Sequence, residues 1–246
     1  MTMSSVKTEP RTSTGASPAD ARQLVSFNFY KLDPSWWRQG RPERTRQGSD
    51  LAETIDRFSK RLMVLTYSLV GMKADTDFLV WTVGKTLEEL QQMASAIRQT
   101  AIGGHLSTAY SYLSMTKRST YVDKIDPDHQ EQRRFLAPFH SKYLFVYPFV
   151  KTNEWYQLPF DQRQAMMDEH IVLGNKYKSV RIHTTYSFGL DDQEFVLAFE
   201  TDEPKDFLDL VMEMRESKAR PYTLRDTPIF TCVAKPFRDI LADLGC

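Results

Sequence analysis

One motif occurs twice in this chain of 246 residues, and the repetition limits the possible folds more than any other feature. Thr66-Tyr67-Ser68-Leu69-Val70-Gly71 returns as Thr185-Tyr186-Ser187-Phe188-Gly189, a spacing of 119 residues at the tyrosine and 118 at the glycine. Asp77-Phe78-Leu79-Val80 returns as Glu194-Phe195-Val196-Leu197, at a spacing of 117. Each copy then enters a helical stretch at that same spacing, Leu87 through Arg98 in the first and Lys205 through Arg215 in the second. Upstream, Phe27-Asn28-Phe29-Tyr30 followed by Trp36-Trp37 matches Phe145-Val146-Tyr147-Pro148 followed by Trp155-Tyr156. A chain built this way is two copies of one unit of about 100 residues, within the usual size of a domain.

Each unit reads strand, helix, strand, strand, helix, strand from its apolar periodicity. In the second copy the strands are expected at 143–150, 179–187, 194–200 and 228–234, with helices at 159–176 and 205–217. This is the ferredoxin-like βαββαβ order. The expected class is α+β, with the two antiparallel sheets joined into one barrel and the helices outside, since closure removes the exposed sheet edges. The expected organisation is a disordered Ser/Thr/Pro-rich tail at 1–21, a first unit at 22–118, a connecting segment at 119–141 and a second unit at 142–240.

Thirty-two basic residues balance 32 acidic ones. Zero net charge argues against a dedicated nucleic-acid binder. The two cysteines, Cys232 and Cys246, exclude a disulfide framework and a CxxC metal pair. No run of 18 apolar residues occurs and the N-terminus lacks the apolar stretch of a secretory signal, so the cytoplasm is the expected location. Glycine-rich phosphate loops and the GxSxG elbow are missing as well.

Five histidines remain as candidates, and none forms an HxH or HxxxH pair. His170 stands out, because it shares an expected helix with Met166, Met167 and Leu173 at one-turn spacings. Such a histidine is either an axial ligand aimed at a cofactor or an ordinary core residue. Its neighbours Asp168 and Glu169 read as a solvated face. Tyr147 is either half-buried packing or a relay facing a pocket, and Lys151 either a solvated side chain or a partner for a ligand carboxylate. Arg215, Arg220 and the pair Arg133-Arg134 are further carboxylate candidates, since guanidinium groups bind carboxylates in bidentate fashion.

Taken together, five segments resemble the chlorite dismutase superfamily and, within it, the coproheme decarboxylases. They are Phe145-Val146-Tyr147-Pro148-Phe149-Val150-Lys151, Glu154-Trp155-Tyr156-Gln157-Leu158-Pro159, Arg163 through His170, Gly189-Leu190-Asp191-Asp192, and Val211-Met212-Glu213-Met214-Arg215. The resemblance runs from about residue 23 to 240, and its fold is a duplicated ferredoxin-like unit. It implies that His170 is the proximal iron ligand, Tyr147 the radical relay, and Lys151 and Arg215 propionate-binding cations. Arg133 or Arg134 falls near another such position. Lys218 stands about where some members carry a propionate-binding serine.

The implied cofactor and substrate is iron coproporphyrin III (coproheme), which hydrogen peroxide converts to haem b through loss of two carboxyl groups. The implied assembly is a homo-oligomer, a pentamer in many members, with a ferrochelatase as the transient supplier of coproheme. Chlorite dismutases carry a distal arginine in the strand Val180-Arg181-Ile182-His183. Counting back from Gly189 puts Ile182 there, with Arg181 one residue away and on the opposite face. His129 lies close to the distal base of some decarboxylases. Chlorite dismutation and a non-catalytic haem-binding module are the alternatives on the same fold.

Overall fold

The computed structural model describes residues 22–121, 124 and 135–246. The expected disordered tail at 1–21 and the residues His129, Arg133 and Arg134 lie outside the described residues.

The first unit contains β1 (Leu24–Leu32), the short helix α1 (Pro34–Trp37), α2 (Arg41–Ser59), β2 (Met63–Ser68), β3 (Phe78–Gly84), α3 (Leu87–Gln99) and β4 (Leu106–Met115). The second contains β5 (Tyr143–Lys151), the short helix α4 (Asn153–Gln157), α5 (Phe160–Lys176), β6 (Arg181–Tyr186), β7 (Phe195–Thr201) and α6 (Pro204–Arg215). It ends with β8 (Thr223–Arg225), β9 (Phe230–Ala234) and the C-terminal helix α7 (Phe237–Asp243). Helix starts follow local chemistry. Thr86 and Glu89 form a reciprocal capping box on α3, while proline occupies the first turn of α2 and α6.

The strands run β7-β6-β4-β1-β3-β2-β9-β5, and β5 pairs with β7 to close the ring. All these pairings are antiparallel. Within each unit the order is the ferredoxin-like one, β4-β1-β3-β2 and β9-β5-β7-β6. The seams between units are brief: Met115 opposite Tyr186 on one side, Tyr67 and Ser68 opposite Ala234 and Val233 on the other. The expected α+β barrel with outer helices is therefore the observed one.

Register refines the repeat. Leu69 N–H donates to Asp77 O, and Ser187 N–H donates to Glu194 O, each at 2.8 Å. Leu69 thus corresponds to Ser187, and the spacing of 118 at the glycines is the structural one. Gly71 and Gly189 share positive φ values of 77° and 71°, which glycine adopts without strain. The tyrosines, at 119, are one residue out of phase. Tyr67 faces the barrel interior, whereas Tyr186 pairs with Phe195 on the outer face.

Alternation along β5 sorts its side chains between two layers. Leu144 and Val146 join Val25, Phe27, Phe29, Trp81, Val196 and Phe230 inside the barrel. Phe145 and Tyr147 point outward, toward the helices, with Phe199, Phe207 and Leu210. The outer layer of the first unit is filled very differently. There α2 buries Leu51, Ala52, Ile55 and Phe58 against the sheet. The C-terminal helix α7 returns to pack Phe237, Ile240, Leu241 and Leu244 into that same cluster. Its arrival was not expected from the sequence, where residues up to 240 are read as part of the second unit.

Candidate functional site

The outer layer of the second unit is under-filled, and the candidate residues line it. Helix α5 buries only Gln164, although Met166, Met167, Ile171 and Leu173 have inward-compatible spacing and remain partly accessible. Around the sheet, Phe149, Val180, Ile182, Leu197, Val211, Met214 and Ile229 are likewise only partly covered. Apolar side chains left partly accessible on both the helix and the sheet are the kind of lining a small-molecule site uses.

His170 sits on α5 and is partly accessible, yet enough protein surrounds it that desolvation, with a smaller repulsion from Lys151, pulls its pKa down to about 4. The side chain is thus desolvated without being fully packed. The ring is neutral at physiological pH, the form in which imidazole donates a lone pair to a metal. No hydrogen bond ties the ring to any described residue. The adjacent carboxylates turn elsewhere: Asp168 accepts from Lys124 and Gln164 at 2.8 and 2.7 Å, and Glu169 lies 3.7 Å from the Lys218 ammonium.

Tyr147 stacks on Phe199, with ring centroids 5.6 Å apart. Burial pushes its phenol pKa up, Asp226 adds to the rise, and Arg215 and Arg220 oppose it. The hydroxyl keeps its proton at neutral pH and has no hydrogen-bond partner among the described residues. Lys151, two pleats further along β5, has its ammonium 4.2 Å from the Trp155 ring centroid and 3.4 Å from the Ala219 carbonyl. Burial lowers its pKa to about 8 against the pull of Glu194, and Arg220 helps lower it. Glu194 holds this end of the strand, accepting from the Lys151 backbone N–H and the Tyr156 hydroxyl, each at 2.7 Å.

Arg215, at the end of α6, and Arg220 both donate to Asp226 Oδ2. Burial raises the Asp226 carboxyl, but the hydrogen bonds from Arg220 and Arg215 outweigh it and hold the group below the usual carboxylate range. The structure thus places Arg215 and Arg220 within electrostatic reach of Tyr147, Arg220 within reach of Lys151, and Lys151 within reach of His170. Lys218 is 77% exposed and its ammonium lies nearest Glu169 of α5, apart from the ion pairs of Arg215 and Arg220 with Asp226. Arg220, Asp226, Glu194 and Trp155 are the site residues that sequence reading underweighted. Arg220 drew attention only as one arginine among several, and nothing local marks Asp226.

The strand β6 resolves the choice between Arg181 and Ile182. Ile182 pairs with Phe199 and joins the outer cluster facing the site, whereas Arg181 pairs with Glu200. The Arg181 guanidinium lies 3.7 Å from the Phe139 ring centroid, on the other side of the strand. Next to it, His183 is buried against Glu200 at 2.7 Å.

The chlorite dismutase family model matches residues 44–235. The chain belongs to the chlorite dismutase family. It is 34% identical over 180 residues to a coproheme decarboxylase of Mycolicibacterium smegmatis, which covers 72% of this chain and 75% of the relative. A coproheme decarboxylase of Staphylococcus carnosus is 32% identical over 167 residues, covering 63% and 66%. Among solved structures, a variant chlorite dismutase from Candidatus Nitrospira defluvii superposes with a TM-score of 0.84 at 26% identity, over 92% of this chain and 97% of that one. A heme-binding protein from Thermus thermophilus shares the fold, with a TM-score of 0.78 at 22% identity. Among the described residues no cluster of three or more His, Cys, Asp or Glu forms a metal site. No helix of the described residues is long and apolar enough to cross a membrane.

Proposed function

We propose that this family member is a coproheme decarboxylase, an oxidoreductase that uses hydrogen peroxide to turn two propionates of iron coproporphyrin III into the vinyl groups of haem b. The observation that carries the reading is the neutral, partly accessible His170 beside an incompletely covered apolar layer that also holds Tyr147, with three cations nearby. A porphyrin bearing four carboxylates needs that combination: a flat apolar slot, one iron ligand, and cations at the rim. The two decarboxylase relatives, each above 30% identity, point to the same activity.

The bound iron porphyrin supplies the redox chemistry with peroxide, while the protein ligates, orients and relays. For each group, a propionate, one proton and one peroxide give a vinyl group, carbon dioxide and two waters, so atoms, charge and electrons balance. His170 ligates the iron through a ring that needs no deprotonation. Tyr147 carries the oxidising equivalent to the propionate. Its phenol holds its proton until it is oxidised, and stacking on Phe199 fixes the ring. Lys151 and Arg215 hold carboxylates so that the reacting C–H bond stays close to Tyr147, which is where effective concentration is gained. Iron porphyrin thereby serves as cofactor and substrate together. The working unit is a homo-oligomer in the cytoplasm, fed by a ferrochelatase; the family resemblance alone supports that assembly and supply.

Loading the purified chain with iron coproporphyrin III, adding peroxide in steps and following the porphyrin by mass spectrometry tests the proposal. Two successive decarboxylations are the expected result. Tight binding with no change of mass would overturn the decarboxylase reading and favour a haem-binding module. Chlorite dismutation is the weaker reading, because the β6 side chain facing the site is the apolar Ile182 and offers no charge to developing anions.

A further inference from the structure

Two arginines at the rim of the site share one carboxylate in an unusual way. Arg215 and Arg220 each use a single Nη1, and both donate to the same atom, Asp226 Oδ2. Asp226 Oδ1 and the remaining guanidinium N–H groups have no hydrogen-bond partner among the described residues. A guanidinium has five N–H donors in a fork that suits two carboxylate oxygens, so among the described residues most of the binding capacity of this pair is unused. Arg215 and Arg220 are 39% and 34% exposed and Asp226 is 17% exposed, so the cluster can exchange partners without stripping a deeply buried ion. Its charge is +1, which one further carboxylate would neutralise. The same three side chains are the charged groups that act on Tyr147.

We propose that Asp226 is an internal stand-in for a substrate carboxylate: it holds the Arg215–Arg220 pair in the free protein, yields it to the porphyrin carboxylate beside Tyr147, and takes it back when that carboxylate leaves as carbon dioxide. The inference rests on the decarboxylase reading and deepens it, because it names the residue that sets selectivity for the carboxylate-rich substrate over the product. In the substrate complex the two guanidiniums serve two carboxylates, one from the protein and one from the porphyrin. After reaction the new vinyl group offers them nothing, and Asp226 again satisfies both. Asp226 is on this view a positioning and selectivity residue, in competition with the substrate, and the short strand β8 delivers it from the loop before β9.

Competition has a signature that a structural staple lacks: removing Asp226 should tighten substrate binding. The test uses metal-free porphyrins and the full chain, so that neither iron ligation nor turnover enters. Coproporphyrin III, with four carboxylates, and protoporphyrin IX, with two, are titrated by fluorescence against the wild type and Asp226→Asn. The expected result is coproporphyrin III binding tightened about tenfold, equivalent to about 1.4 kcal/mol, with a steeper salt dependence. Protoporphyrin IX should shift by less than about twofold, within the spread expected for a group it does not reach.

Unchanged or weaker coproporphyrin III binding in a folded Asp226→Asn overturns the proposal. Should that variant fail to fold, Arg220→Gln decides, because it leaves Asp226 matched by Arg215 alone. Loss of the preference for four carboxylates then supports the exchange, and an undiminished preference overturns it. A wild type that binds neither porphyrin would instead overturn the decarboxylase reading itself, a different outcome from binding without tightening.

Discussion

Replacing His170 by Gln should remove a pH dependence from the stability of the ligand-free protein. An ordinary histidine titrates near 6.5, whereas His170 titrates at about 4 in the folded chain, chiefly because its charged form is desolvated. Between those values the unfolded chain binds a proton that the folded chain refuses. Stability must therefore fall as pH falls through 6.5, and the loss levels off below the folded value. The full difference is about 3 kcal/mol at about 1.4 kcal/mol per pKa unit. At pH 5 it is about 2 kcal/mol, reduced toward about 1 because the ring is partly accessible to water. At pH 7.5 it is close to zero. Urea unfolding of wild type and His170→Gln at pH 5 and 7.5 measures it, since other acid-sensitive groups cancel in the difference between the two proteins. Wild type should lose about 1–2 kcal/mol more than the variant between those pH values. Equal losses would mean that His170 is protonated as easily as a solvated histidine, and the argument that the fold keeps a proton-free ring ready for iron would fail.

Other expected outcomes follow from the same geometry. Tyr147→Phe should bind iron coproporphyrin III as the wild type does and lose decarboxylation by about a hundredfold or more, the scale of a lost relay group; normal turnover would remove Tyr147 from the chemistry. Wild-type affinity for metal-free coproporphyrin III should fall as pH rises through about 8, where Lys151 loses its proton, and Lys151→Met should bind more weakly but without that dependence. A parallel pH profile in the variant would place the titration elsewhere. His170→Ala should shift the optical spectrum of the iron-porphyrin complex, and an unchanged spectrum would mean a different ligand. Ile240→Ala, in the C-terminal helix far from the site, should cost about 2–4 kcal/mol of stability by thermal or urea unfolding, with little change in porphyrin affinity.

The parts of this molecule visible in the sequence are those written in local pattern. Alternation in 143–150 and helical spacing in 159–176 put Tyr147 and His170 on elements that the structure keeps nearly unchanged, as β5 and α5. The duplication predicted a closed barrel because two open antiparallel sheets have edges to hide. Strand phase was harder. The repeated tyrosines invite an alignment one residue out, and only the pairing of Ile182 with Phe199 fixes which β6 side chains face the site. Partners distant along the chain left no trace at all. Helix α7 docks on α2 and β2 from the far end of the molecule, burying Leu241 beside Gly48, where an added Cβ would lie 2.8 Å from a leucine methyl. Asp226 lies in a segment whose regular elements are a three-residue 3-10 turn and a three-residue strand, too short for any period to show. Its significance comes from two arginines that converge on it from separate segments.

Comparing the two halves explains why a duplicated fold carries one such site. Both units keep the same device at the end of the first strand. Asp77 accepts from the Leu32 backbone N–H at 2.7 Å, as Glu194 accepts from that of Lys151 at the same distance. Both also keep a buried tryptophan in the short helix that follows, Trp36 and Trp155. What differs is the side chains between sheet and helix. Strand β1 and strand β5 align at a spacing of 119, not the 118 at which Phe29 would match Tyr147, because Phe29 faces the barrel interior; Tyr147 therefore corresponds to Asn28 and Lys151 to Leu32. His170 corresponds to Leu51 or, at 118, to Ala52, and both are fully buried. In the first unit α2 and α7 close most of the layer with apolar side chains, and the Leu244 carbonyl just past the end of α7 accepts the Trp36 indole N–H at 3.1 Å. The C-terminal helix therefore covers in one copy an outer layer that stays only partly covered in the other. Apolar surface left open in the second unit is a cost to stability that packing alone would have removed, as it did in the first. A flat apolar ligand with charged edges restores that burial while meeting Lys151 and the arginines at the rim, so binding it should stabilise the second unit in the same way that α7 stabilises the first.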